Sequence, residues 1–151
     1  MEFYRISHID YSKVLSSSGS ANRWNFDSEY VIYTGSSRSL STLELVVHRN
    51  STKKLPDYEV MIISIADEED LFEQIQIKTL PTNWRSFESY YKLRKIGSEW
   101  YKKQSSLVLK VPSAVIPEEY NYIINTKQPL FTSKISLVRN EKYFFDERLF
   151  G

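Results

Sequence analysis

The segment Tyr58–Ala66, YEVMIISIA, is the strongest constraint in this chain. Val60, Ile62, Ile63 and Ile65 leave little room for a solvated face, so the segment reads as a central strand. A chain of 151 residues buries roughly 68–70% of its unfolded surface, and one compact domain spanning residues 1–151 is expected. Rings carry much of that burial, because 3 Trp, 11 Tyr and 8 Phe make up 15% of the chain and each covers a large area when packed.

The other elements fall around this strand. Residues 3–7 read as a short strand containing Arg5, and the polar segment Ser16–Asn22 reads as a loop. Tyr30–Thr34 is β-branched and aromatic and stops at Gly35, as a buried strand does. The period then changes. Leu40, Leu43 and Val47 recur at helical spacing, Ser36 or Ser37 can cap the start, and His48 and Arg49 suit the last turn, which predicts a helix over 38–49. The run Asp67–Asp70 reads as a solvated turn or helix start. Tyr90, Leu93, Ile96 and Trp100 share a face, which predicts a second helix over 89–104 despite Gly97. Residues 107–111 and 114–116 read as strand, and 134–138 with 142–145 as two late strands around Asn140-Glu141. The class is α+β, with a mixed central sheet flanked by helices.

Composition closes several routes. There is no Cys, which removes disulfides, thiolate catalysis and sulfur-ligated zinc, and only His8 and His48 are present. No metal is expected. Twenty Lys plus Arg against nineteen Asp plus Glu give +1, far from the basic excess of a domain that binds duplexes through phosphate neutralisation, so direct nucleic-acid binding is not expected. The start MEFYRISHID has no cationic region before an apolar core, and no stretch approaches the roughly 20 apolar residues that cross a bilayer. A cytoplasmic protein without a membrane anchor is expected.

Four residues stand out for chemistry. Arg23, in Arg23-Trp24-Asn25 after the Ser/Gly loop, suits clamping an anion, or else stacks on a ring or pairs with Asp27 or Glu29. Glu44 lies on or beside the apolar stripe of the first helix, where a carboxylate is costly unless paired. Ser113 either places a hydroxyl in a pocket or serves the turn after Pro112, and His48 reads as a helix-end residue more readily than as a general base.

The pieces Tyr4-Arg5-Ile6, Arg23-Trp24-Asn25, Val31–Thr34, Leu43–His48, Val111–Pro117, Asn121–Asn125 and Phe145–Phe150 follow one another in the order and spacing of the RES domain. The chain therefore resembles the toxin half of RES-Xre toxin–antitoxin pairs. One departure is that Ala21 and Asn22 stand where the family usually has glycine before Arg-Trp-Asn. The resemblance implies a bacterial protein with a fold similar to ADP-ribosyltransferase toxins, acting on NAD without a metal. It also implies a hetero-oligomeric complex with an Xre-type antitoxin that carries a helix-turn-helix DNA-binding region.

By that resemblance the key positions are Arg23, Tyr33, Glu44 and Ser113, with Arg5 and Asn125 as further matches. Nicotinamide is already cationic in NAD and leaves neutral, so one carboxylate suffices where O-glycoside hydrolysis uses two. Glu44 would stabilise the ribosyl cation, while Arg23, helped by Arg5, would hold the pyrophosphate. Tyr33 would stack on nicotinamide or ribose, Ser113 would hydrogen-bond in the nicotinamide pocket, and Asn125 would orient a group at the site or simply end a strand. The acceptor stays open among water, phosphate and a protein side chain, the small acceptors being favoured.

Overall fold

The computed structural model describes residues 1–48 and 57–150. Seven strands, β1 (Glu2–His8), β2 (Val31–Gly35), β3 (Tyr58–Ile65), β4 (Phe72–Gln74), β5 (Val108–Pro112), β6 (Tyr120–Asn125) and β7 (Ile135–Lys142), are joined by helices α1 (Arg38–His48), α2 (Tyr90–Lys103) and the single turn α3 (Phe131–Lys134). They form one sheet in the order β4-β5-β6-β2-β1-β3-β7. The β4–β5 pair is parallel and the others antiparallel, so the class is α+β with a mixed sheet.

β3 is paired on both sides, by β1 and by β7, and Ile62, Ile63 and Ile65 are fully buried, as its unbroken apolar run requires. A flat sheet of seven strands would hold its edges about 29 Å apart at the usual spacing. Yet Phe72 on one edge and Ile135 and Leu137 on the other pack into the same cluster, with Phe3, Ile32, Met61, Ile63 and Ile124. One continuous apolar layer therefore runs across the face of the sheet from edge to edge. A second cluster lies under α2, where Leu93 and Trp100 meet Trp24, Trp84, Val31, Leu109, Val111 and Ile123.

Gly97 explains how close α2 comes. A Cβ at this position would lie 1.7 Å from the Trp24 carbonyl oxygen, so the helix rests its backbone directly on the Arg23–Asn25 turn. In α1, Ser37 Oγ accepts the Leu40 N–H at 3.0 Å, a cap at the expected place. Its inward face differs from the apolar spacing, however. Leu40 and Ser41 are buried and Glu44, Leu45 and His48 line a cavity, whereas Leu43 and Val47 face solvent. The predicted end at Arg49 lies outside the described residues.

Several expectations are corrected. Residues 114–116 are not a strand, because Ser113 Oγ accepts the N–H groups of both Val115 and Ile116 at 3.1 Å and bends the chain. The two late strands are one, β7, running straight through Asn140-Glu141 with a register shift opposite Ile62/Ile63. The acidic run leads through a 3-10 turn, Glu69–Leu71, into β4, an edge strand too short to announce itself in the sequence.

Candidate active site

A cavity of about 330 Å³ opens between β1, β2, α1 and the Ser/Gly loop, within the range usual for small-ligand sites. Its lining includes Arg5, Arg23, Tyr33, Glu44, His48 and Asn121. Chain topology makes this possible. Gly35 on β2 is directly opposite Asn121 on β6, and a Cβ there would come within 2.5 Å of Ser41 Oγ. Lacking a side chain at that point, the sheet lets α1 settle low enough to bring Glu44, one turn past Ser41, down to the strand end.

Glu44 is held by groups far away in the chain. Its Oε1 accepts from Ser113 Oγ at 2.7 Å, 69 residues on, and from Asn121 Nδ2 at 2.8 Å, 77 residues on. Its Oε2 lies 3.8 Å from His48 Nε2, the next turn of the helix. Because Ser113 Oγ accepts two backbone N–H groups, its single O–H is directed at Glu44 and not into the cavity. Ser113 thus spends its donor on the carboxylate.

The guanidinium groups are unequal. Arg5 is half-buried and, among the described residues, has no hydrogen bond or ion pair; burial pushes its pKa below the ordinary value. A cation left unpaired on a cavity wall favours an anion there. Arg23 stacks on the Tyr90 ring at 4.6 Å and donates to the carbonyls of Trp84 and Arg85 and to Tyr90 Oη. The ring-stacking alternative therefore holds, and pairing with Asp27 or Glu29 does not. Asp27 instead accepts from Ala21 N, and Glu29 accepts from Phe26 N and Ser98 Oγ. Even so, among the described residues every partner of Arg23 is neutral, so no carboxylate offsets its guanidinium. Arg94 also lies over Tyr90, at 5.2 Å, and donates to the Asn22 carbonyl at 2.7 Å. Among the described residues none of Arg5, Arg23 and Arg94 is paired with a carboxylate.

Tyr33 reaches the same turn from β2. Its hydroxyl donates to Asn25 Oδ1 at 2.6 Å and accepts from Trp24 N at 3.0 Å. Burial raises the phenol pKa despite that backbone bond, so the ring stays neutral. Asn25, buried, uses Nδ2 on the carbonyls of Ser20, Phe26 and Glu29, which ties the loop to the strand.

Asn125 is not in the cavity. Four residues along β6 from Asn121 carry it about 13 Å away, where it donates to the Tyr101 carbonyl and accepts from Lys127 N. Asn121 and Tyr90 are the residues that sequence reasoning missed. Asn121 stood within a quoted motif, but its partner depends on strand register. Tyr90 was read as core spacing in a helix, which says nothing about guanidinium stacking. No group of three or more His, Asp or Glu able to hold a metal occurs among the described residues, and no helix there is long and apolar enough to cross a membrane.

Comparison with known proteins agrees with this architecture. The family described as the RES domain matches residues 2–146. A protein named Toxin Res from Yersinia enterocolitica is 37% identical over 127 residues, 84% of this chain and 82% of its own length. Another Toxin Res, from Photorhabdus laumondii, is 31% identical over 99% of this chain and 97% of its own. A Prs ADP-ribosylating toxin from Sphingobium is 32% identical over 84% of this chain and 79% of its own. Among solved structures, a chain of the M. tuberculosis MbcT-MbcA toxin-antitoxin complex superposes with a TM-score of 0.76 over 99% of this chain and 86% of its own, at 15% identity.

Proposed function

The chain belongs to the RES domain family, and on that premise we propose that it is a toxin that consumes NAD by breaking the bond between nicotinamide and ribose. The observation that carries this reading is a carboxylate, Glu44, alone on the cavity wall among the described residues, fixed at one oxygen and facing the same cavity as the guanidinium of Arg5, unpaired among those residues, and the charged edge of Arg23. The two sides do different work. Arg5 and Arg23 take the diphosphate, an anion for which neither has a carboxylate competitor among the described residues. Glu44 faces the ribose, where positive charge develops as neutral nicotinamide departs, and a fixed anion gains most in the transition state. Tyr33, its hydroxyl tied back to the loop, offers its ring face to the nicotinamide or ribose. Ser113 donates to the oxygen of the carboxylate that faces away from the ribose.

Water or inorganic phosphate is the acceptor in this proposal. Transfer to a protein side chain is the second reading, favoured by the relative named as an ADP-ribosylating toxin. An Xre-type antitoxin with a helix-turn-helix region would cover the cavity and carry the DNA contacts. Likeness to a chain from a toxin–antitoxin complex supports a partner, and the near-neutral charge suits that division of labour. The test incubates purified chain with NAD, with and without phosphate and with cell extract, and identifies products by mass spectrometry. ADP-ribose, its 1-phosphate or a labelled protein distinguishes the acceptors; intact NAD in every arm refutes the reading.

A further inference from the structure

Glu44 presents two unlike oxygens, and the difference assigns a residue. Oε1 has both of its acceptor directions filled, by the Ser113 hydroxyl and the Asn121 amide, whereas Oε2 has no hydrogen bond among the described residues, with His48 Nε2 at 3.8 Å. We propose that Asn121 is a positioning residue for the NAD-cleaving reaction: it fixes Oε1 so that Oε2 alone faces the ribose and accepts from one of its hydroxyls. This rests on the reading of the site as an NAD-cleaving one.

Geometry makes Asn121 the member that sets direction. Glu44 comes from a helix, and two donors are needed to stop rotation of its carboxylate about the last side-chain bond. Ser113 is held by the turn it caps and donates to Oε1 from one point, about which the carboxylate can still pivot, whereas the Asn121 amide, planar and on a strand paired on both sides, to Gly35 and to Val111, removes that freedom. Removing the amide leaves Glu44 present but free to turn Oε2 toward His48. The loss then falls on the transition state and not on NAD binding, which belongs to the arginines.

The experiment compares wild type, Asn121→Ala and Asn121→Asp for NAD consumption across pH, with denaturant unfolding of each to confirm folding. Asn121→Ala should lower kcat about 10- to 100-fold, the worth of one hydrogen bond to a charged group, with KM within about twofold. Asn121→Asp should be the weaker enzyme at neutral pH, because two carboxylates then face each other, and should regain activity in acid as a shared proton restores a donor to Oε1. Wild-type kcat in folded Asn121→Ala overturns the assignment, as does a change confined to KM or an Asp variant with an unaltered pH profile. Wild-type chain inert toward NAD overturns the underlying reading and the assignment together, and so is distinguishable from failure of the assignment alone.

Discussion

Substituting Gly97 by Ala sets two effects of opposite sign against each other. Helix propensity favours the change, since glycine in a helix interior costs about 1 kcal/mol relative to alanine. Packing opposes it. The new methyl would lie 1.7 Å from the Trp24 carbonyl oxygen and 2.7 Å from its carbon, both backbone atoms that cannot swing aside. Restoring ordinary contact requires α2 and the Arg23–Asn25 turn to part by about 1.7 Å, and overpacking of this kind costs about 1–3 kcal/mol or more. Because the obstacle is backbone, the upper end applies, and the net loss is about 2 kcal/mol. For a domain of this size that corresponds to a fall in Tm of about 4–8 °C. The parting also moves Arg23 away from Tyr90, which lies on the same helix, so NAD turnover should fall along with stability. Thermal and urea unfolding of the two proteins measure the first effect and NAD consumption the second. A Gly97→Ala chain as stable as wild type or more so would refute the close approach of helix and turn.

Glu44→Gln should cut turnover by about 10²- to 10³-fold with the unfolding midpoint little changed, as for loss of one preorganised electrostatic group; undiminished turnover would remove Glu44 from catalysis. Arg5→Ala should raise KM for NAD about 10- to 100-fold while leaving the fold intact, since among the described residues the Arg5 guanidinium has no partner to abandon; isothermal titration with NAD on the Glu44→Gln background checks it. Tyr33→Phe orphans the Trp24 N–H and Asn25 Oδ1 and should cost about 2 kcal/mol in urea unfolding. Lys13 and then Ser12 hold the Glu59 carboxyl below its ordinary pKa. Its contribution is therefore complete above the usual carboxylate range and is lost as pH falls through the depressed folded value. The stability gap between wild type and Glu59→Gln should be present at neutral pH and close in acid.

How much of this was legible in the sequence depended on whether the signal was local. β2, β3, α1 and α2 are declared by runs and periods of adjacent residues, and the structure has them within a residue or two of the expected bounds. Ala114-Val115-Ile116 misled because β-branched residues favour extended backbone only where a ladder partner exists, and the Ser113 hydroxyl captures those N–H groups first. Glu44 drew notice as a carboxylate beside an apolar stripe. Its inward direction could not be read, because the helix face that packs is set by the gap at Gly35 and not by the spacing of its leucines. Asn121 and Asn125 are equivalent in the sequence, two asparagines at the ends of one strand. Only the pairing of that strand with β2 decides which of them meets α1.

The long separation between the carboxylate and its two donors bears on when the site comes into being. A nascent polypeptide that has just gained Glu44 must grow by 77 more residues before Asn121 exists. At a synthesis rate of 5–20 residues per second this takes about 4–15 s. Throughout that interval the chain has Glu44 without the full pair of donors that hold it in the finished structure. The pocket therefore cannot take its finished form until the strand that carries Asn121 has been made, however early Glu44 leaves the ribosome.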